Sequence, residues 1–165
     1  CLDLSMDNKY LVTLGNDEPQ TISLWDWTNE KEEANRVPLI QVHLGVPEPA
    51  LGKVQPQEPN ELCSNGKERV LFLNWEEGVS QFQYYSPRIE KKDFADKKKA
   101  MALWTKTVFI PNSFMAVTAS NIGVILVWDK SLIIEGIGEQ NEKRLIKIVT
   151  LNGNGLPINI LTTVH

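Results

Sequence analysis

Three stretches decide the reading: Ile22-Ser23-Leu24-Trp25-Asp26, Val70-Leu71-Phe72-Leu73-Asn74-Trp75-Glu76 and Val124-Ile125-Leu126-Val127-Trp128-Asp129. Each is a short apolar run that ends in Trp followed by an acid. Each comes after a turn rich in Gly and Asn: Gly15-Asn16-Asp17, Asn65-Gly66 and Asn121-Ile122-Gly123. Ahead of each turn lies Asn with a hydrophobic run behind it: Asn8 to Thr13, Asn60 to Ser64, and Asn112 to Thr118. Asn8, Asn60 and Asn112 stand 52 residues apart, and Trp25, Trp75 and Trp128 follow them by 17, 15 and 16 residues. Three units of one design therefore follow one another along the chain, which is the mark of a repeat architecture.

Short runs of Val, Ile, Leu, Phe and Thr between Gly, Asn, Asp and Pro fit strands better than helices. Asn65-Gly66 is a hairpin signal, because both residues tolerate positive φ. Residues 1–5 alternate as a half-buried strand. Residues 38–44, 79–85 and 144–151 read as the closing strands of the three units, and residues 158–164 as the opening strand of a fourth. The sequence thus predicts an all-β fold: part of a propeller, about three four-stranded blades plus the first strand of another. The predicted units are 1–45, 46–87 and 101–151, with a charged insertion at 88–100 and a new blade from 152–165. The 52-residue period exceeds a usual blade, and the surplus goes to loops at 27–37, 46–52, 88–99 and 131–143. Three blades cannot close a ring, so the sequence reads as a piece of a larger propeller, poorly soluble alone because two apolar blade faces lie open.

Leu24-Trp25-Asp26 and Val127-Trp128-Asp129 resemble the Trp-Asp pairs of WD-repeat propellers. Residues 1–13 with Trp25-Asp26-Trp27-Thr28, Glu61 to Arg69, and Lys147 to Leu151 running on to Ile160 through Thr163 are similar to an axonemal WD-repeat family of motile cilia. The resemblance touches about half the chain, and the charged insertions carry none of it. It implies a scaffold in the cytoplasm and cilium, at the base of a radial spoke on the doublet microtubule. Its implied partners are calmodulin-associated spoke proteins, tubulin, and the remainder of its own propeller. The repeats are degenerate: no Gly-His pair precedes a first strand, Asn65 and Asn121 stand where an Asp is usual in the turn, and unit two has Trp75-Glu76. Blade boundaries are blurred accordingly, and the resemblance alone does not license the hydrogen-bonded tetrad of that family.

The 165 residues hold 17 Lys+Arg against 21 Asp+Glu, a net charge of −4. A mildly acidic balance speaks against a nucleic-acid module, which needs a basic stripe. No apolar run reaches the roughly 20 residues of a membrane helix. No signal peptide is evident, although the sequence opens at Cys1 rather than Met. Cys1 and Cys63 make no disulfide framework, which favours a reduced, intracellular setting.

No constellation of catalytic or metal-binding type emerges. His43 sits alone on an apolar strand and His165 is the last residue, so neither has the partners a metal site or triad requires. Cys63 reads as a buried, inert thiol. Asn152-Gly153-Asn154-Gly155 is followed by Leu156-Pro157 rather than a helix, so it reads as an inter-blade turn, not a phosphate cradle. The inner strands offer only Asp3 and Lys106 to a channel, too little for an enzyme. No cofactor and no metal is expected.

Trp25, Asp26, Trp75, Trp128 and Asp129 are read as structural, with the tryptophans packing between blades. Trp27 is expected to pack beside Trp25 or to serve as a surface anchor. Of Tyr84 and Tyr85, one must face solvent. The run Glu90-Lys91-Lys92-Asp93-Phe94-Ala95-Asp96-Lys97-Lys98-Lys99 holds five Lys against three acids. It reads first as a solvated loop, and more sharply as a surface for an acidic partner such as tubulin. The functional expectation is a non-enzymatic interaction scaffold of the axoneme. The alternative is a scaffold of another cytoskeletal or transport assembly, resembling a dynein intermediate chain or a coat subunit.

Overall fold

The alternation along residues 10–26 folds as a hairpin that buries one face. In the computed structural model this is the centre of the first of three four-stranded antiparallel sheets. The structure describes residues 2–5, 7–16, 19–31, 38–44, 49–54, 60–67, 69–94, 97–130, 142–151 and 155–162. Sheet one runs β1 (Leu2–Leu4), β2 (Tyr10–Leu14), β3 (Gln20–Asp26) and β4 (Ile40–Leu44). Sheet two runs β5 (Pro49–Val54), β6 (Glu61–Gly66), β7 (Val70–Asn74) and β8 (Gln83–Tyr85). Sheet three runs β9 (Trp104–Phe109), β10 (Ala116–Ser120), β11 (Val124–Lys130) and β12 (Lys143–Thr150). In every sheet each strand pairs with its neighbour in sequence, so each is a simple meander. The innermost strands β1, β5 and β9 lie against one another in turn. This is the radial arrangement of propeller blades, and the expected all-β propeller class is the observed one.

Period two sets which sheet each residue meets. Tyr10, Val12, Leu14, Ile22 and Leu24 of sheet one join Leu62, Leu73 and Trp75 of sheet two in one buried cluster. Sheet two turns its other face, with Cys63, Val70 and Phe72, to Phe109, Ala116, Leu126 and Trp128 of sheet three in a second cluster. Trp75 and Trp128 thus both point at the preceding sheet. Trp75 meets Tyr10 edge-on at 5.7 Å, and Trp128 meets Phe72 edge-on at 5.8 Å. Such geometries add to the large area these rings bury. Trp25, in phase with Thr13, occupies the opposite face of sheet one from the first cluster and is half-buried.

The recurring Asn has a backbone reason at two of its three places. Asn8 and Asn112 have φ of 56° and 58°. Asn tolerates this left-handed region better than most residues with a Cβ. Asn60 instead accepts the Trp75 N–H on its carbonyl (3.0 Å) where β6 begins.

Four local readings differ from the structure. Asn65-Gly66 closes β6 rather than forming the turn, and the chain reverses between Gly66 and Val70, with Gly66 N–H donating to Arg69 O (3.0 Å). Residues 46–52 were expected to be loop, but β5 begins at Pro49, a position where a strand tolerates proline. The strand expected at 79–85 shortens to Gln83–Tyr85, because Glu76–Val79 forms a turn around Gly78 at φ 87°. Residues 155–162 carry no strand pairing; Ile158 N–H donates to Ser120 O (3.1 Å) and its carbonyl accepts Thr105 Oγ1 (3.4 Å). The insertion is also more than solvated loop. It holds two short 3-10 turns, Lys91–Asp93 and Lys97–Met101, and buries Phe94 and Ala100 in the second cluster.

Candidate functional site

The seam between sheets two and three holds a chain of buried polar groups. Trp128 Nε1–H donates to Thr118 Oγ1 (2.8 Å), and Thr118 and Thr107 share a hydroxyl bond (2.7 Å). Thr107 Oγ1–H then donates across the seam to Asn65 Oδ1 (2.6 Å), which also faces Cys63 Sγ at 3.6 Å. Since Trp128 and Thr107 fix the two ends, Thr118 must be the donor to Thr107. Sheet one repeats the first link: Trp25 Nε1–H donates to Thr13 Oγ1 (2.9 Å). Thr118→Val removes the acceptor for a buried indole N–H. The expected cost is about 1–3 kcal/mol, read by urea unfolding; an unchanged midpoint would show the link to be idle.

The same seam contains a buried ion pair. Lys143 Nζ lies 2.6 and 2.7 Å from the two carboxylate oxygens of Glu61, and neither side chain is more than 3% exposed. Lys143 N–H donates to Tyr85 Oη (2.8 Å), and its ammonium lies 5.4 Å from the Phe72 ring centre and 5.5 Å from that of Phe109. Burial pushes the Tyr85 phenol well above its usual range. The pair joins β6 to β12 and needs excellent geometry to offset its desolvation.

Burial pushes the Cys63 thiol up to about 12, with the neighbouring Thr107 hydroxyl opposing. An unfolded thiol ionises near 8.5, so the native state holds this proton more tightly. The resulting contribution is complete below about 8.5 and is lost as pH rises toward 12. Because the thiolate is the reactive form, native Cys63 should alkylate with iodoacetamide at pH 8 at least 100-fold more slowly than in urea, by peptide mass mapping. Equal rates would contradict this placement. No group of three or more His, Cys, Asp or Glu among the described residues could hold a metal ion. No helix among them is long and apolar enough to cross a membrane.

The strand directions separate the surface residues singled out in the sequence. β3, β7 and β11 run toward one rim, where Trp25, Trp75 and Trp128 lie. Trp27 follows β3 on that rim, outside the strand and 48% exposed, so it does not pack in register with Trp25. The basic segment leaves β8 at the opposite rim and returns to β9 near Asn121, whose backbone N–H donates to Leu103 O (3.0 Å). There Glu90 pairs with Lys92 (2.6 Å) and Arg88 (3.4 Å). The Lys92 bond holds the Glu90 carboxyl below its usual range and raises the ammonium of Lys92. Lys91 and Lys92 are exposed and Lys99 is half-buried, while the side chains of Lys97 and Lys98 lie outside the described set. Asp26 accepts the Thr28 N–H (3.2 Å) and hydroxyl (2.9 Å) in the turn after β3, and Asp129 sits beside Arg144 in the β11–β12 ladder. Tyr84 is the exposed member of its pair. Asp3 and Lys106 are half-buried on β1 and β9. His43 has a described backbone in β4 only, and Cys1, Asn152 to Asn154 and His165 lie outside the described residues.

The seam residues Thr107, Thr118, Glu61 and Lys143 were not singled out from the sequence. Thr13 and Thr118 could have been, as hydroxyls 12 and 10 residues ahead of Trp25 and Trp128. The ion pair could not, because 82 residues separate its partners.

No family model matches the chain. The propeller domain of Cps50 (Swd1) from Myceliophteria thermophila superposes with a TM-score of 0.63 at 17% identity, covering 94% of this chain and 42% of that one. A protein of Chlamydomonas reinhardtii, cilia- and flagella-associated protein 251, is 33% identical over 99% of the chain. The chain is a segment of β-propeller fold, similar in sequence to cilia- and flagella-associated protein 251. The protein of that name from Tetrahymena thermophila is 31% identical over 91% of the chain, and that of Mus musculus 23% over 76%. The chain spans only 21% of the Chlamydomonas and 15% of the Tetrahymena cilia- and flagella-associated protein 251.

Proposed function

We propose that this segment belongs to a non-enzymatic scaffold of the motile-cilium axoneme, at the base of a radial spoke on the doublet microtubule. Its blades would run 1–45, 46–87 and 101–151, with 152–165 opening the next. The observation that carries the reading is similarity to a ciliary protein along 99% of the chain. Packed sheets holding charged segments in fixed positions suit this role. Partners in this reading are calmodulin-associated spoke proteins and tubulin, and Trp27 and the basic segment with Lys91, Lys92, Lys97, Lys98 and Lys99 are the surfaces offered to them.

The test is the full-length protein, tagged and imaged in ciliated cells, followed by cosedimentation with isolated doublets. The reading expects signal along the axoneme. Reversing all five lysines to Glu should weaken doublet binding at least fivefold at low salt, with a smaller difference at high salt, as screened charges require. Absence from the axoneme would overturn the ciliary reading and favour another cytoskeletal or transport assembly. Salt-independent binding that survives the reversal would remove the basic segment alone.

A further inference from the structure

On the rim that carries Trp27, sheets one and two part to leave a groove of about 270 Å³. Its apolar lining comes from Leu24, Leu39, Ile40, Trp75 and Val79, of which Leu39 and Val79 are 48% and 45% exposed. Its charged lining is Asp26, Glu76 and Glu77, with no Lys or Arg among the described lining residues. Lys9 approaches from the side and pairs with Glu77 (2.8 Å), whose carboxylate also accepts Tyr10 Oη–H (3.0 Å). Three carboxylates against one ammonium leave the groove negative.

We infer that this groove is a docking site for a protein segment bearing Lys or Arg next to an aliphatic residue. The volume falls below that of ordinary small-molecule pockets, yet admits a side chain or two. A basic side chain matches it twice over, since its methylene stem suits Leu39 and Val79 while its head reaches Glu76 and Asp26. An anionic membrane surface is repelled by the same charges. The groove lies on the rim opposite the basic segment, so the fold presents a negative apolar cleft at one end and a positive ridge at the other. Two partners of opposite charge can therefore be held at once. The inference makes no use of the ciliary assignment, and absence from the axoneme would leave it standing.

The probe is the fluorescein-labelled peptide Leu-Lys-Leu-Lys-Leu, with Leu-Glu-Leu-Glu-Leu as its charge twin, titrated into the full-length protein by anisotropy. The basic peptide should bind saturably and at least tenfold more tightly than its twin. Carbodiimide coupling followed by mass mapping should attach the peptide lysine at Glu76 or Asp26. The double variant Glu76→Lys, Val79→Lys changes two exposed side chains and should weaken binding at least tenfold with an unchanged melting temperature. Glu76→Gln, which removes charge alone, should weaken it at least twofold. Equal affinity for both peptides, no saturation by millimolar concentration, coupling only elsewhere, or indifference to both variants would overturn the inference.

Discussion

Lys143→Met in the full-length protein should lower stability to urea by about 3–5 kcal/mol, because it leaves the Glu61 carboxylate buried without its cation. The ammonium sits 2.6 Å from Glu61 at 0% side-chain exposure, and the carboxylate is itself only 3% exposed. Glu61→Gln should cost a comparable amount for the mirror reason. The double variant Glu61→Leu, Lys143→Met separates two accounts of this pair. Replacing both charges by well-packed apolar groups is often neutral or stabilising, so the double variant should recover most of the loss. That recovery would identify the pair as a device for registering sheet two on sheet three rather than a net source of stability. A double variant as damaged as either single one would show that the strands depend on the charges themselves. Lys143→Met without effect would mean that the two side chains do not meet.

Trp128→Ala should cost about 3–5 kcal/mol, the range for emptying a large aromatic site in a core. The ring is fully buried and lies edge-on to Phe72 of the neighbouring sheet. Trp128→Phe keeps much of the apolar contact but removes the indole N–H that Thr118 accepts. It should cost about 1–2 kcal/mol by combining a lost hydrogen bond with a small void. The two effects belong to one network, so Trp128→Phe combined with Thr118→Val should cost less than the sum of the single losses. Both singles are read by the urea midpoint. Near-neutral Trp128→Ala would place the indole outside the seam.

The fold was legible because a propeller repeats its local chemistry. Trp75 and Trp128 recur since each buries a large ring against the previous sheet, and Trp25 shares with Trp128 the indole bond to a threonine of the second strand. Asn8 and Asn112 recur since the chain there needs positive φ. What failed was decided by distant partners. Asn65-Gly66 has the makings of a tight turn, but the Asn65 side chain is wholly buried and accepts Thr107 from the next sheet, 42 residues away. The turn is displaced toward Arg69 accordingly. β5 hides behind Pro47, Pro49 and Gly52, residues that punctuate loops far more often than they open inner strands. Residues 79–82 alternate like a strand, yet the Glu76–Val79 turn takes their backbone first.

The candidate surfaces divide along the same line. The lysine-rich run is visible as composition, and its anchoring through Phe94 and Ala100 is not, because those residues find their core in sheets two and three. The acidic groove joins Asp26 of sheet one to Glu76 and Glu77 of sheet two, and only the packing of the two sheets brings them together.

A side-chain-resolution density map of the full-length protein tests the central claim most directly. The account predicts β3, β7 and β11 in three separate four-stranded sheets, with Trp75 turned to sheet one and Trp128 turned to sheet two, and Glu61 and Lys143 in contact across the second seam. A ladder joining β3 to β7 or β7 to β11 within one continuous sheet, or a helix over any of the three, would contradict it.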